Sequence, residues 1–467
     1  MKTLMLDEII VAIGGRPLGM PPAANVTDVC IDSRKLTPKC LFFAIRGETH
    51  DGHDFVSAAI EGGASAAVIS DTAKIDPALH RDGRLIQVAD TTAALGRLAG
   101  WYRKQLAAQV IAVAGSNGKT TTKNMLTTVL ASRRRGRGAA ASFNNAIGVP
   151  LTLLAAEPAD EFVVVEIGTN HPGEVVALGR IARPNLAIIT SIGEEHLEFF
   201  RDLDTVAKEE FSLLGCLRDH GFVAVSHEAA KYAAPELLRA HSAVIYGTAA
   251  DAHLRAERLT CENGGYRFLL NGRKEFFVPM LGAHNAMNAL GVIAVATRMR
   301  LTEDEIAAAL ATVRPAPMRL EWATIGGLTL INDAYNANPS SMRAALSVID
   351  ELSGTGRKVL ILGDMRELGD TTERAHLGVG RDAGRSAAQV IITVGENARV
   401  VADGVISTAG AAKRVYSFPS VATLVEKLES LIEPGDVVLL KASRASKLEQ
   451  IVPHLEAIGR LSPTGAS

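Results

Sequence analysis

The chain has 467 residues, of which 47% are hydrophobic, and a formal net charge of −2 at pH 7. The length predicts about three domains, and the small net charge argues against a general nucleic-acid binder, which would need clustered Lys and Arg. The four scattered cysteines argue against a zinc site or a disulfide framework, and the lack of a signal peptide and of a membrane-length apolar run predicts a cytoplasmic protein.

In chain order, the apolar segments predict three α/β units. Residues 1–108 combine short strand-like segments with small helices. Residues 109–313 alternate apolar strands with amphipathic helices, which predicts a mostly parallel sheet covered on both faces. After Pro315, residues 314–467 form a second alternating unit that ends in a frayed tail from Ser462. The strands predicted in this unit are Leu328–Ile331, Val359–Leu362, Val390–Val394 and Asp436–Leu440.

Within the central unit, residues 254–280 are expected to interrupt this alternation of strands and helices with antiparallel strands. They contain two hairpin signals, Asn263-Gly264-Gly265 and Asn271-Gly272. The strands predicted before them are Val110–Ala114, Phe162–Ile167, Leu186–Thr190, Phe222–Val225 and Ala243–Tyr246.

A glycine-rich loop follows the first of these strands. It reads Gly115-Ser116-Asn117-Gly118-Lys119-Thr120-Thr121, and a helical pattern begins after it. Such a turn points backbone N–H groups and a helix N-terminus at one place, where a polyphosphate can bind. Lys119 would reach the outer phosphates, and the Thr120 hydroxyl would ligate Mg²⁺. The full nucleotide-binding pattern has glycine where this chain has Val113, so an ordinary strand-to-helix connection is the alternative.

The basic run Arg133–Arg137 lies where the helix after this loop should end. Cations are favourable at a helix C-terminus. We therefore interpret the run as a solvated helix end rather than as a nucleic-acid patch.

Two further polar residues follow central strands. Glu166 ends an apolar segment, and His196 comes shortly after the next predicted strand. Ligands collect at the carboxyl ends of parallel strands, so both residues should converge on the glycine loop. A capping Glu and a surface His are the alternative for each residue alone, but together beside Lys119 and Thr120 they favour metal–nucleotide ligation.

Asparagines and an arginine near the second boundary are candidate nucleotide contacts. Asn285 and Asn288 are three residues apart on one face of a predicted helix, where their amides could contact a base or ribose. A helix N-cap is the alternative for Asn285. Arg319 lies at the predicted hinge, where it could reach a phosphate; a surface arginine is the alternative.

The densest polar cluster is Asn332-Asp333-Ala334-Tyr335-Asn336-Ala337-Asn338-Pro339, directly after a predicted strand. Asn or Asp before Pro commonly forms a turn. The cluster contains more polar side chains than one turn requires, so we favour a site.

Together these motifs resemble those of the Mur ligase family, in order and across nearly the full chain. Within that family, the D-x-Y-N-A-N-P sequence from Asp333, the segment Leu362–Gly369, and Asp32-Ser33-Arg34 with Asp51–Asp54 are similar to the members that add D-alanyl-D-alanine. The resembling segments are Gly115–Thr121, Asn144–Pro150, Glu166, His196, Gly282–Asn288, Arg319 and Asp333–Pro339.

The resemblance implies a fold and an activity. The fold would be a small UDP-substrate-binding domain over residues 1–108, a central P-loop ATP-binding domain over 109–313 and a Rossmann-like domain over 314–467. The activity would be ATP-dependent joining of D-alanyl-D-alanine to UDP-N-acetylmuramoyl-tripeptide, through an acyl phosphate. ATP and Mg²⁺ are the implied cofactors, the two peptide compounds are the implied partners, and the implied oligomeric state is a monomer.

The resemblance also implies roles for individual residues. The glycine loop would bind ATP together with Asn285, Asn288, Arg319 and Asp333. The implied substrate-binding residues are Asp32, Ser33, Arg34, Asn144, Asn145, Tyr335, Asn336 and Asn338. The implied metal site contains Thr120, Glu166 and His196, and the implied catalytic residues are Lys119, Glu166, His196, Arg319 and a residue of the helix after His196.

One departure from the family concerns that last residue. Mur ligases usually carry a carbamylated lysine fourteen positions after the metal-site histidine, and this chain has Glu210 there. One hypothesis is that Glu210 supplies a permanent carboxylate to the metal site and to catalysis. The alternative is a loop shortened by two residues, which would put Lys208 in the family position and turn Glu210 towards solvent.

Two other functions remain open. A sister ligase would add a single amino acid, although the D-x-Y-N-A-N-P sequence argues against it. A nucleotide-dependent switch would signal through loop movement, but it would leave the cluster from Asp32 to Asp54 unexplained.

Overall fold

The structure is a computed structural model and describes residues 1–262, 264–352 and 356–461. It contains three α/β units in succession, as the sequence predicted. The predicted tail after Leu461 and Asn263 of the first hairpin signal lie outside these described residues. Among the helices in the described ranges, none has the length and hydropathy that a membrane span requires.

The N-terminal unit is built from short strands. Its elements are β1 (Leu4–Met5), α1 (Leu6–Ile13), β2 (Arg16–Leu18), β3 (Asn25–Val26), β4 (Asp28–Cys30), β5 (Cys40–Phe43), α2 (Val56–Glu61), β6 (Ala66–Ile69), β7 (Leu85–Gln87) and α3 (Thr91–Arg103). The main sheet has the order β2-β7-β6-β5-β4 and is parallel except for β2. Strands β1 and β3 pair separately.

The central unit is the largest. Its elements are β8 (Gln109–Ala114), α4 (Lys119–Ala131), β9 (Gly136–Gly138), α5 (Gly148–Leu154), β10 (Phe162–Glu166), α6 (Glu174–Ala182), β11 (Leu186–Ile189), α7 (Leu197–Phe200), α8 (Leu203–Phe211), β12 (Phe222–Ser226), α9 (His227–Ala230), α10 (Pro235–Ala240), β13 (Val244–Gly247), β14 (Leu254–Glu262), β15 (Gly265–Leu270), β16 (Lys274–Val278), α11 (Ala283–Arg298) and α12 (Glu303–Leu310).

The sheet of the central unit has the order β16-β15-β14-β13-β12-β11-β8-β10-β9. Strands β8 and β10–β12 are buried along nearly their whole length because helices cover both faces, which explains their continuous apolar sequences. The chain turns from one side of β8 to the other, so the end of β8 is a switch point where ligands bind in such sheets. The predicted antiparallel strands β14–β16 extend this sheet at one edge rather than interrupting it.

The C-terminal unit contains β17 (Glu321–Ile325), β18 (Leu328–Asp333), α13 (Pro339–Glu351), β19 (Lys358–Gly363), α14 (Thr372–Arg385), β20 (Val390–Val394), α15 (Ala398–Ala409), β21 (Arg414–Phe418), α16 (Val421–Val425), α17 (Leu428–Leu431), β22 (Val437–Lys441) and α18 (Val452–Leu461). Its sheet has the order β17-β18-β22-β19-β20-β21 and is parallel except for β17. The sequence predicted β18, β19, β20 and β22 but missed the exposed edge strands β17 and β21.

The first two units share one apolar core. It contains Leu41 and Leu95 from the N-terminal unit together with Val110 and Val163 from the central unit. The C-terminal unit has separate cores on the two faces of its own sheet. The units therefore differ in how they are joined.

Candidate active site

A cavity of about 770 Å³ lies between the central and C-terminal units, at the ends of β8, β10, β11 and β18. It brings together most of the residues that the sequence predicted for ATP, metal and substrate binding. Those lining it are Ser116, Asn117, Gly118, Lys119, Thr120, Thr121, Asn144, Asn145, Glu166, His196, Asn285, Asn288, Arg319, Asp333, Tyr335, Asn336 and Asn338.

The glycine loop joins β8 to α4, and its two glycines are required by its shape. Gly115 and Gly118 have φ of +116° and +84°, which other residues rarely adopt. A Cβ on Gly118 would lie 2.7 Å from the Asn288 side-chain oxygen. The loop is therefore held against α11, and the N–H groups of Ser116 and Asn117 are bonded to Ser191. A phosphate would bind at the N-terminus of α4, whose first N–H groups have no partner within the helix.

Lys119 is surrounded by acidic groups. Its Nζ donates to the carbonyl oxygens of Gly115 at 2.5 Å and Ser116 at 3.2 Å, and lies 3.4 Å from Glu195 Oε2. Burial opposes the ammonium charge, but the carboxylates of Glu195, Glu210 and Glu166 outweigh it and raise the pKa of Lys119. The lysine is thus charged and stays beside the loop.

Glu166 lies at the end of β10 and holds the start of α4. Its Oε1 accepts hydrogen bonds from Thr120 Oγ1 and from the Asn144 amide, each at 3.1 Å. The Thr120 hydroxyl also lies 3.2 Å from Ser142 Oγ. These contacts connect the glycine loop to the segment that contains Asn144 and Asn145.

Glu210, rather than Lys208, lies at the glycine loop. Glu210 is fully buried, and its Oε2 accepts a hydrogen bond of 2.7 Å from the backbone N–H of Gly115. Lys208 is exposed on α8. Burial raises the pKa of the Glu210 carboxyl, although the nearby Lys119 charge opposes the rise. The arrangement with Lys208 inward and Glu210 in solvent is therefore not the one in this structure.

Three buried carboxylates around Lys119 each have an oxygen without a hydrogen-bond partner: Glu166 Oε2, Glu195 Oε1 and Glu210 Oε1. Buried carboxylate oxygens without partners are costly, and oxygen donors are those that Mg²⁺ prefers. No three His, Cys, Asp or Glu side chains in the described ranges form a ready metal-binding group by themselves. Glu166 and Glu195 line the cavity, whereas Glu210 is not part of its lining. The donors thus fit a Mg²⁺ ion that takes one or two carboxylates and completes its shell with phosphate oxygens and water.

The C-terminal unit contributes cations and polar groups to the opposite wall. The Arg319 guanidinium lies 4.1 Å from the centre of the Tyr335 ring and 3.5 Å from Ser142 Oγ. Asp333, at the end of β18, pairs with Lys441 at 2.7 Å and accepts from the backbone N–H of Leu320 at 3.2 Å. Both sides of the cavity therefore carry charges suited to a polyphosphate.

Asn117 of the glycine loop is bonded directly to the C-terminal unit. Its amide oxygen accepts from Asn338 Nδ2 at 3.1 Å, and its amide nitrogen donates to Ser340 Oγ at 2.9 Å. Asn338 is also the N-cap of α13, because its side-chain oxygen accepts from the N–H of Ser341. Asn338 thus stabilises the turn before α13, which was the alternative interpretation of the sequence, and also contacts the glycine loop in the site.

The other predicted asparagines have mostly local partners. Asn285 is inside α11, not its N-cap, and donates to the carbonyl of Leu281, while Asn288 donates to Asn285. Asn145 accepts from two backbone N–H groups of its own turn.

The predicted UDP-domain residues Asp32, Ser33 and Arg34 do not line the cavity. They lie in the N-terminal unit, where the guanidinium and the backbone N–H of Arg34 donate three hydrogen bonds to the Asp32 carboxylate and lower its pKa to about 2. The structure therefore does not bring them to the nucleotide side of the molecule.

Sequence reasoning gave no role to three further residues of the cavity wall, although the segment Leu362–Gly369 that it singled out contains Glu367. Glu195, Glu367 and Lys441 all line the cavity. Glu195 directly precedes His196 after β11, and Lys441 is the last residue of β22, so a position at or just after the end of a strand was an available signal for both. Glu367 follows β19, and its carboxylate contacts His196, which lowers the pKa of the Glu367 carboxyl.

The basic run after α4 contacts acidic side chains. Arg133 pairs with Glu305, Arg134 with Glu161, Arg135 with Glu157, and Arg137 with Asp160. Arg133 and Arg134 follow the end of α4, as the sequence predicted, whereas Arg137 lies in β9 and pairs with the buried Asp160.

The sequence matches three family models in succession. The models are described as Mur ligase family, catalytic domain, for residues 25–103; Mur ligase middle domain, for residues 113–296; and Mur ligase, glutamate ligase domain, for residues 318–444.

Relatives and solved structures match over nearly the whole chain. The UDP-N-acetylmuramoyl-tripeptide–D-alanyl-D-alanine ligase of Bacillus subtilis is 36% identical over 91% of this chain and 92% of its own length. The enzyme of the same name from Escherichia coli is 34% identical over 92% of this chain and 94% of its own. A crystal structure of MurF from Acinetobacter baumannii has a TM-score of 0.87 at 28% identity and covers 98% of this chain and 99% of its own. With a cavity built around the glycine loop and this extent of similarity, the chain belongs to the Mur ligase family.

Proposed function

We propose that the protein is an ATP-dependent ligase that joins D-alanyl-D-alanine to the terminal carboxyl of UDP-N-acetylmuramoyl-tripeptide, with release of ADP and phosphate. The observation that carries the proposal is the cavity in which Lys119 and Thr120 of the glycine loop face Arg319 and Tyr335 of the C-terminal unit. The function named for the relatives at 36% and 34% identity supports the choice of substrates.

The reaction requires an activated acid. A carboxylate oxygen of the tripeptide attacks the γ-phosphorus of ATP, the bond to the ADP oxygen breaks, and an acyl phosphate forms. The dipeptide amine then attacks the acyl carbon, loses a proton, and inorganic phosphate leaves. These steps require neutralised charge and in-line placement rather than a protein nucleophile. Lys119 and Arg319 would provide the charge from opposite walls of the cavity.

We assign ATP to the glycine loop, with Asn285, Asn288, Arg319 and Asp333 completing its site. Mg²⁺, when bound, would neutralise phosphate charge, held by Thr120, Glu166, His196 and Glu210. Glu195, which the sequence reasoning missed, joins this set because its carboxylate lies beside Lys119.

The substrates are assigned to the two sides of the nucleotide. Asn144 and Asn145 would contact the muramoyl compound, whose UDP group the N-terminal unit binds near Asp32, Ser33 and Arg34. Tyr335, Asn336 and Asn338 would lie beside the incoming dipeptide. We keep 1–108, 109–313 and 314–467 as the functional domains, and the monomeric state and cytoplasmic location stay predictions.

We further propose that Glu210 is a permanent substitute for the carbamylated lysine of the relatives. Its burial and its bond to Gly115 support this role. Glu210→Ala is expected to reduce phosphate release on the order of 10²-fold, whereas Lys208→Ala, on the exposed face of the same helix, should retain activity. Glu210→Lys should make activity depend on added bicarbonate. Full activity of Glu210→Ala, or a carbamate on Lys208 detected by mass, would contradict the proposal.

The deciding experiment is phosphate release by the full chain with ATP, Mg²⁺, UDP-N-acetylmuramoyl-tripeptide and D-alanyl-D-alanine. We expect release to require both peptide compounds and to fail when single amino acids replace the dipeptide. Release with single amino acids would indicate a sister ligase, and release without either compound would indicate a nucleotide switch. Tripeptides with lysine and with diaminopimelate in the third position would identify the natural one.

A further inference from the structure

A carboxylate of the C-terminal unit lies against the histidine of the central unit. Glu367 Oε2 contacts His196 Nδ1, with the ring nitrogen outside regular hydrogen-bond geometry. The backbone reinforces the contact, because the N–H of Glu198 donates to the carbonyl of Glu367 at 3.2 Å. Two residues that are far apart in sequence, one from each unit, thus meet at this imidazole.

The loop that contains Glu367 is fixed from behind by a buried histidine. His376 is fully buried; its Nε2 accepts from the N–H of Met365 at 3.1 Å, and its Nδ1 lies 2.7 Å from the carbonyl oxygen of Thr372. The first of these contacts ties the start of the loop to α14, and the second holds the His376 ring against its own helix. Glu367 therefore lies in a loop whose backbone is hydrogen-bonded to α14, rather than in an unsupported surface loop.

Both partners of the contact have an unusual backbone. His196 and Glu367 have φ of +48° and +60°, a region that residues other than glycine seldom occupy. Gly369 has φ of +53°, and a Cβ on it would lie 3.1 Å from the Cα of Glu198. Strained backbone that persists on both sides of one contact points to a functional requirement there.

The ring orientation leaves one nitrogen for the site. With Nδ1 against Glu367, His196 Nε2 faces the cavity and lies 3.9 Å from Glu195 Oε2. A carboxylate beside one ring nitrogen favours the proton there, which leaves the lone pair on the other nitrogen. A lone pair opposite a carboxylate oxygen at this distance leaves room for a cation between them.

We propose that Glu367 is a positioning residue, delivered by the C-terminal unit, that turns His196 so that Nε2 can ligate the metal of the nucleotide complex. The inference rests on the proposed function, since it takes the cavity as the ATP–metal site. Its consequence is that the metal site of the central unit is complete only when the C-terminal unit is docked.

The test compares Glu367→Gln and Glu367→Ala with Arg343→Gln. Arg343 pairs with Glu194 across the same interface but does not touch His196, so its variant is a matched control for a weakened interface. The measurement is Mn²⁺ binding to the full chain with a saturating non-hydrolysable ATP analogue, from the electron paramagnetic resonance signal of free Mn²⁺. Thermal unfolding of each variant shows whether it is folded, and Glu367→Gln keeps the side-chain shape if Glu367→Ala does not fold.

We expect both Glu367 variants to bind Mn²⁺ about 10- to 100-fold more weakly, and Arg343→Gln to stay within about twofold of the wild type. Unchanged Mn²⁺ affinity in the Glu367 variants would overturn the inference, as would an equal loss in Arg343→Gln. Substrate-dependent phosphate release by the wild type tests the proposed function separately, so failure of one is distinguishable from failure of the other.

Discussion

The two junctions between the units are built differently. Between the N-terminal and central units, apolar side chains form one continuous core, and the buried Tyr102 donates to the carbonyl of Ala156 at 2.7 Å. Between the central and C-terminal units, the contacts are mainly polar, as in the pairs of Asn117 with Asn338 and of His196 with Glu367. Leu281 is an exception, since it packs in a C-terminal core.

This difference indicates which junction can open. Separating an apolar core exposes apolar surface to water, which costs roughly 25 cal/mol per Å². Polar groups that are separated can instead form hydrogen bonds to water or to a ligand. We therefore expect the first two units to move as one body and the third to move against them around the cavity.

The largest expected effect is on phosphate release, at the polar junction between the central and C-terminal units. Lys119→Ala should reduce phosphate release on the order of 10³-fold, because a preorganised charge at the γ-phosphate is lost. Binding of the UDP substrate, measured by calorimetry, should survive, since the N-terminal unit is untouched. A variant with near wild-type turnover would show that the glycine loop does not hold the transferred phosphate.

Substitutions at the apolar junction should lower the free energy of unfolding rather than change the chemical step. Tyr102→Ala leaves a cavity at the shared core and should lower the free energy of unfolding by about 3–5 kcal/mol, measured in urea. Tyr102→Phe loses only the hydrogen bonds and should lower it by about 1 kcal/mol. If Tyr102→Ala left the unfolding of the central unit unchanged, the two units would not form one cooperative body.

A pH-dependent test uses Asp51 of the N-terminal unit. Burial opposes its charge, but bonds from Lys74, His53 and Arg46 outweigh it and lower the pKa of the Asp51 carboxyl. Because the folded pKa is below the unfolded one, the stabilisation is present above about pH 4 and is lost as the pH falls further.

Asp51→Asn should therefore cost about 1–3 kcal/mol at pH 7, because its amide oxygen can still accept from His53 but its uncharged NH2 group faces the donors of Lys74 and Arg46. The difference from wild type should shrink as the pH falls below about 4. A difference that is the same at pH 3 and pH 7 would contradict the role of this charge.

The smallest expected effect concerns Lys123, one turn after Lys119. Its buried Nζ donates to the carbonyls of Ala139 at 2.8 Å and Ala141 at 2.5 Å. Ala141 has φ of +43°, so the lysine holds a strained turn directly before Ser142. Lys123→Met should lower turnover about tenfold, since unpaired buried carbonyls cost roughly 1–3 kcal/mol.

Ala141→Gly, which adopts positive φ without strain, should restore part of the activity of Lys123→Met. The measurement is phosphate release at saturating ATP. If Ala141→Gly did not restore any activity, Lys123 would not act through this turn.

The sequence predicted most of the sheet strands because they are buried on both faces. Val110–Ala114 and Val390–Val394 are continuous apolar segments, and such segments are visible without the structure. Strand β17 was missed because its residues are mostly exposed and lack the alternation of a half-buried strand. The three-residue strands of the N-terminal unit are too short to show any period.

The site was predictable as far as its residues follow strands. Lys119, Glu166 and His196 come after neighbouring strands, and parallel topology alone brings them together. The contact of Asn117 with Asn338 depends on how two units dock, and no local pattern encodes that. The same holds for Glu367, whose position is set by the docking of a distant loop.

The shared core of the first two units has a consequence for substrate choice. Under the proposed function, this core fixes the distance between the binding site for the UDP group and the glycine loop. A muramoyl peptide one residue shorter would hold its carboxyl about 3.3–3.6 Å short of the γ-phosphate. The enzyme would then select the tripeptide by the length of its peptide, before any side chain is recognised.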